Sequence, residues 1–328
     1  MHYLKIILRV VLIGVIFFAL IWFADLNQVV SAIKNVSVGY IAILFAIALL
    51  VIWISCVKWQ VFVRASGHDA SITALMKYYT IGYFFNLFFP SYIGGDIARS
   101  VHLGNELGNR KDAFMTTFLE RFTGLVALCF LGMLFVLFGA RATDGTELVV
   151  LLGGVVAILL TGMCFNKKLN QLGFSILRYF VGFLGESLGS KVTKILNKIE
   201  QSMMFALGKP VLLVKAIFLS LVFHCIAVLN MYVAALAVGW EQPDIWGMFV
   251  VLPLILLIGM IPLTPNGLGI QEGAFLFFLE RIGGTKAQGL GVGVLLRAKV
   301  MVIAILGGVI WLVVRRKTVV PSSQTVTT

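Results

Sequence analysis

The chain has 328 residues, of which 60% are hydrophobic and 12% charged, with 26 Lys and Arg against 14 Asp and Glu for a formal net charge of +12. So few charges cannot cover a soluble globule of this length, and the composition excludes a water-soluble domain in favour of one solvated by a bilayer. The basic excess does not point to nucleic acid: the Lys and Arg residues flank apolar runs and are not interleaved with exposed aromatics, which suits an anionic lipid surface.

A helix rises about 1.5 Å per residue and the hydrocarbon core is about 30 Å thick, so runs of roughly 20 apolar residues are candidate spans. Six qualify, near residues 6 to 24, 38 to 57, 122 to 140, 147 to 165, 211 to 238 and 289 to 314. The first has Lys5 and Arg9 at its start and no small-residue cleavage pattern after Trp22 and Phe23, which predicts a retained anchor rather than a signal peptide. Cys56, Cys129, Cys164 and Cys225 each fall within a span in no paired spacing, and read as small apolar packing residues.

Two further apolar stretches, Tyr78 to Phe89 and Val250 to Pro262, reach only about 18 to 20 Å as helix. Each runs into a Pro/Gly break and resumes: NLFFPSYIGGDIARS from Asn86 to Ser100, and GMIPLTPNGLGIQEGAF from Gly259 to Phe275. Proline removes a backbone donor and glycine admits non-helical dihedrals, so both points are predicted to be unwound, shaped by Asn86, Pro90, Gly94, Gly95, Pro262, Pro265, Gly267 and Gly269. Irregular backbone at membrane depth persists only where protein buries it or a wet cavity borders it.

Basic loops stay cytoplasmic, and this decides whether the two stretches cross or turn back. If both are re-entrant, only Lys34, Arg141, Arg281 and Lys286 lie outside, with Arg297 and Lys299 inside the last span. If both cross, Arg99, Arg110, Lys111, Arg121 and the basic residues from Lys167 to Lys209 all move outside. The expected fold is therefore an all-α integral membrane protein with six full spans and two opposed re-entrant hairpins, about 78–100 and 247–282, in an inverted repeat with both termini cytoplasmic. The halves are residues 1–165 and 211–317, followed by a disordered tail from 318 to 328. Between the halves, residues 166–210 carry Leu188, Val192, Ile195, Ile199 and Met203 at helical spacing with Lys191, Lys194 and Lys198 on the other flank. This predicts a basic amphipathic helix on the cytoplasmic leaflet, the alternative being a plain linker.

No phosphate-loop motif is present, and Gly267-Leu-Gly269 lacks the strand that a dinucleotide site needs. His2, His68, His102 and His224 show no metal-ligand spacing, so neither a metal nor a cofactor is expected. What stands out is a set of ionisable residues at membrane depth, where function is the default reading. Asp96 and Arg99 adjoin the first break and Glu272 the second; Arg297 and Lys299 lie in the last span and His224 in the middle of the span 211 to 238. Asp96 and Arg99 either pair with each other or face a ligand, and Glu272 with Arg297 is either a structural pair or part of a site. Together with Lys299 these groups leave one positive charge in excess, which favours an anion, and guanidinium groups suit phosphate.

The segments FFPSYIGGDIARSVHLG and IPLTPNGLGIQEGAFLFFLERIGG, the pair Glu120-Arg121 opening a span and Arg297 in the last helix together resemble the flippase-like membrane family. That family includes the transmembrane part of lysylphosphatidylglycerol synthetases, and the likeness runs from about residue 5 to 314. The resemblance implies lipid movement across a bacterial cytoplasmic membrane, with Pro90, Gly94, Gly95, Asp96, Arg99, Glu120, Arg121, Pro265, Gly267, Gly269, Glu272 and Arg297 lining or shaping the path. Those synthetases add a soluble aminoacyl-transferase domain that this sequence lacks, so synthesis of the lipid is not expected. The expectation is a flippase, not an enzyme, for a phospholipid, aminoacyl-phosphatidylglycerol or polyprenyl-phosphate lipid. Its partners are membrane lipids, preferably anionic, and a homo-oligomer is compatible with the sequence. The alternatives are a membrane-embedded enzyme or subunit of polyprenyl-phosphate sugar metabolism, and a non-transporting scaffold.

Overall fold

The computed structural model describes residues 33–89, 93–139, 145–184 and 186–319. Among these residues the structure is eleven α-helices without a strand: α1 (Val38–Ala65), α2 (Ile72–Asn86), α3 (Ile93–Leu107), α4 (Arg110–Leu137), α5 (Thr146–Phe165), α6 (Lys167–Val181), α7 (Glu186–Leu207), α8 (Pro210–Ala237), α9 (Ile245–Gly259), α10 (Ile270–Glu280) and α11 (Lys286–Val319). Five of them, α1, α4, α5, α8 and the Lys286–Val314 part of α11, are long and apolar enough to cross a membrane, making the chain an all-α multi-pass membrane protein. They coincide with five of the predicted spans; the span 6 to 24 and Pro90 lie outside the described residues. So does the tail beyond Val319, the last residue of α11. On α5, Leu148, Leu152, Val155 and Leu159 are 61%, 57%, 50% and 54% exposed, an apolar stripe at helical spacing that only lipid would cover.

Helix ends follow capping chemistry more than the apolar run. Ser37 and Ser71 open α1 and α2 by accepting from the N–H of Tyr40 and Ala74 at 3.4 and 3.1 Å. Asn109 Oδ1 accepts from the N–H of Lys111 and Asp112, both at 3.1 Å, so α4 starts at Arg110 and not at the predicted 122. Glu120 and Arg121 therefore lie about three turns inside a helix that begins well before the predicted span. At the far end of α1 the helix continues past residue 57 to Ala65, taking Lys58 with it.

The polar segment 166–210 forms two helices, α6 and α7, not one. Asn166 caps α6, a 3-10 turn at Gly182–Leu184 follows it, and Arg178 of α6 pairs with Glu200 of α7. Only part of the predicted apolar face is exposed: Leu188 and Ile195 are, whereas Met203 and Ile199 pack with Phe174, Phe62, Leu119 and Leu213 against the spans.

Around both Pro/Gly breaks the short helices form antiparallel hairpins. In the first, Tyr78 of α2 hydrogen-bonds Glu106 of α3 and stacks on His102, while nearer the tip Gly82 packs on the Gly95 backbone. In the second, Ile282, just beyond α10, lies against Gly247 of α9, and Gln271 against Gly259. Helices α2, α3 and α9 have 15 residues each and α10 has 11. At about 1.5 Å per residue none reaches the roughly 30 Å of a hydrocarbon core. The tips meet, the Asn266 N–H donating to the Phe89 carbonyl at 3.2 Å.

Apolar packing ties these pieces together in separate clusters. Met231, Val250, Ile255, Leu279 and Val292 hold α8 to α11 together, and Cys56, Trp59, Val63, Leu75, Ile81 and Leu103 join α1 to the first hairpin. Helix α11 belongs to both clusters, contributing Ile303 to the second. Its Gly307 lies against the Thr80 carbonyl of α2, where an added Cβ would overlap backbone, whereas Gly153 of α5 faces open space. We expect Gly307→Ala to lower stability by about 1 to 3 kcal/mol through overpacking. Gly153→Ala should stay within about 0.5 kcal/mol of wild type, both read by thermal unfolding in detergent.

Candidate functional site

The predicted ionisable residues separate into two constellations. The first gathers on the first hairpin and its neighbours α1, α4 and α8. Glu120 of α4 is 2% exposed and lies between two cations: Lys58 Nζ is 3.0 Å from Oε1, and Arg99 Nη2 donates to Oε2 at 2.7 Å. Lys58 also donates to Ser220 Oγ of α8 at 3.1 Å. The Arg99 guanidinium is 1% exposed, with the rings of Trp59 and Tyr79 centred 4.8 and 4.6 Å from it. Its Nε–H donates to Asp96 Oδ1 at 2.9 Å, while Nη1 is buried without a hydrogen-bond partner.

The same carboxylate of Asp96 is gripped from the other side by Arg121, whose Nε–H reaches Oδ1 and Oδ2 at 2.9 and 3.0 Å. Here the constellation opens, because Asp96 is 24% and Arg121 42% exposed. Ile93 and Ile97, near Asp96 on α3, are exposed. Lys58, Arg99 and Arg121 outweigh Asp96 and Glu120 by one positive charge. Asn86 is buried and caps α3, its Oδ1 accepting from the Gly95 N–H at 2.7 Å. Gly94 and Gly95 are buried where the two helices of the hairpin meet. His224 is also buried; its Nε2 faces the Gly124 carbonyl at 2.8 Å and its Nδ1 has no partner.

The second constellation holds the second break. Asn266, Gly267 and Gly269 have φ of 51°, 66° and 80°, left-handed values that explain why the sequence reads Asn-Gly-Leu-Gly there. Glu272 accepts from the Gly269 N–H at 2.7 Å and pairs with Arg297 Nε. Arg297 spends its other groups on the loop, donating to the Asn266 carbonyl at 2.9 Å, Gln271 Oε1 at 3.0 Å and the Gly267 carbonyl at 3.5 Å. Pro262 is exposed and Pro265 half-buried in the same loop. Lys299 is buried and belongs to neither set; it donates to Asn230 Oδ1 of α8 at 2.6 Å.

The sequence reading grouped Asp96, Arg99, Glu272, Arg297 and Lys299 as one charge set. In the structure Asp96 and Arg99 join Glu120 and Arg121, while Glu272 and Arg297 fasten a loop. Lys58 escaped it, because an apolar run of 20 residues was already complete at 57 and the lysine read as the start of a loop. The signal was the apolar continuation Trp59, Val61, Phe62 and Val63, which keeps the helical period going past the charge. Among the described residues no three His, Cys, Asp or Glu side chains are placed to hold a metal ion. What the first constellation offers chemically is recognition of an anion by fixed cations.

Removing Glu120 leaves the buried Lys58 without a counter-charge and Arg99 with Asp96 alone, so Glu120→Ala should cost about 3 to 5 kcal/mol of stability. Arg121→Gln acts on a half-exposed pair and should cost no more than about 1 kcal/mol. Denaturant unfolding in mixed micelles compares the two.

The family model described as the lysylphosphatidylglycerol synthase TM region matches residues 6–308. A UPF0104 membrane protein of Methanothermobacter thermautotrophicus is 22% identical over 85% of this chain and 84% of its own length. A UPF0104 membrane protein of Pyrococcus horikoshii is 23% identical over 98% of this chain and 99% of its own. No solved structure matches.

Proposed function

The chain belongs to the lysylphosphatidylglycerol synthase TM region family, and from that premise we propose that it is a flippase moving a phosphate-headgroup lipid across the cytoplasmic membrane. The observation that carries this reading is the constellation of Lys58, Arg99, Glu120, Arg121 and Asp96, buried at one end and open at the other between α3 and α4. A phosphate enters at the Arg121 end while its hydrocarbon chains stay in the bilayer along exposed Ile93 and Ile97 of α3. Phospholipids, aminoacyl-phosphatidylglycerol and polyprenyl phosphates share that headgroup chemistry.

In this reading the two hairpins are re-entrant and enter from opposite sides, the first from the cytoplasm. Their shortness and the Asn266–Phe89 hydrogen bond between their tips support it. The basic segments favour cytoplasmic termini and an α6–α7 hairpin resting on an anionic leaflet, with Tyr179, Phe180 and Phe183 turned to lipid. The inverted repeat supplies alternating access, one half rocking on the other around the charge constellation. We read Glu272 and Arg297 as the clasp that keeps the second break in shape, and His224 as an interior neighbour of the headgroup site. A transporter needs no catalytic carboxylate cluster, and the occupied roles of Asp96 and Glu272 in ion pairs favour it over an enzyme of polyprenyl-phosphate sugars.

Proteoliposomes holding the purified chain and a labelled anionic phospholipid provide the test. Wild type should move the lipid between leaflets, and Arg121→Gln should reduce the rate about tenfold or more, the value of one lost charge-assisted contact. Equal movement by both proteins, or none by wild type above empty vesicles, refutes the proposal.

A further inference from the structure

We infer that the Asp96 carboxylate is an internal stand-in for the lipid phosphate, occupying the anion subsite between Arg99 and Arg121 until a headgroup displaces it. This rests on the headgroup reading above and adds how the site is kept closed and what opens it. Two guanidinium groups from different helices converge on one carboxylate, Arg99 from α3 and Arg121 from α4, with Nε–H contacts of 2.9 Å from each to Oδ1. Convergence of this kind is the geometry by which arginines hold a phosphate. Asp96 also sits in the first turn of the 15-residue α3, where the helix terminus favours a second anion as readily as the first.

The three members of this subsite differ in freedom. Arg99 is 1% exposed and fixed between Trp59, Tyr79 and Glu120, and Glu120 is 2% exposed and held by two cations. Asp96, at 24%, is at the edge of the constellation and the only one of its two carboxylates that reaches the surface. Glu120 is thus the permanent counter-charge and Asp96 the exchangeable one. Arg99 Nη1, buried and without a partner, is donor capacity that the two carboxylates leave unused.

Charge identifies the ligand class. With Asp96 in place the constellation carries one net positive charge; with Asp96 turned out, Lys58, Arg99 and Arg121 face Glu120 alone, an excess of two. A phosphate monoester, at about −1.5 to −2, cancels that excess, and a diester cancels half of it.

The test measures retention of phosphatidic acid, phosphatidylglycerol and phosphate-free diacylglycerol on the full-length detergent-purified chain by native mass spectrometry. The proteins are wild type, Asp96→Asn, Asp96→Ser and Arg121→Gln, each first shown to unfold cooperatively. Without its competitor, either Asp96 variant should hold phosphatidic acid about tenfold more tightly than wild type, and diacylglycerol unchanged. Arg121→Gln should hold phosphatidic acid about tenfold more weakly. A gain extending to phosphatidylglycerol supports the exchange for diesters as well. If the Asp96 variants bind equally or more weakly while Arg121→Gln weakens, the stand-in is refuted and the headgroup site stands. If no variant changes retention, or diacylglycerol gains equally, both fall.

Discussion

A carboxylate at 2% exposure inside an apolar helix has to be neutralised by its neighbours, and most of the first half of this protein is arranged around that need. Glu120 draws Lys58 from α1 and Arg99 from α3, and through Lys58 it reaches Ser220 on α8. Ion pairs thereby tie α1 and α3 to α4, and the Lys58–Ser220 hydrogen bond adds α8. The aromatic rings of Trp59 and Tyr79 then enclose the arginine, and Trp59 is itself pinned by its indole N–H on Thr116 Oγ1 at 3.3 Å. Polar residues that look isolated along the chain are consecutive members of one network in space.

A second constraint is the backbone beside the two breaks, where helical hydrogen bonds end. Both breaks solve it with a side chain of the hairpin itself: Asn86 takes the Gly95 N–H and Glu272 takes the Gly269 N–H. The second break has three residues at positive φ, and Arg297 takes up two of its carbonyls, those of Asn266 and Gly267. Because Arg297 belongs to α11, and Gly307 of the same helix lies against α2, one long helix bears on both hairpins. Any motion of one half against the other has α11 as its common support.

The division of labour between the two arginine sites follows from exposure. Arg297 is enclosed and its donors are committed to the loop, which suits a clasp. Arg121 keeps 42% of its side chain exposed and grips a carboxylate at the rim, which suits exchange with an incoming anion. Two acids occupy comparable places, Asp96 in the first turn of α3 and Glu272 in the first turn of α10, yet one pairs at the rim and the other inside the loop.

Membrane class, the five spans seen here, the two breaks and the family likeness were legible in the sequence, because each depends on local quantities. Those are apolar run length against bilayer thickness, proline and glycine against helical backbone, and short motifs. The segment 166–210 was legible as helical and amphipathic, but not its fold into two helices, since the Arg178–Glu200 pair joins residues far apart in the chain. Helix starts were misplaced where a cap such as Asn109, not hydrophobicity, begins the helix. The pairs Asp96–Arg99 and Glu272–Arg297 were among the readings the sequence offered and both form, but the links of Glu120 to Lys58 and Arg99 and of Arg121 to Asp96 were not legible. A buried charge chooses its counter-charge by distance across helices, and that distance exists only once the helices have packed.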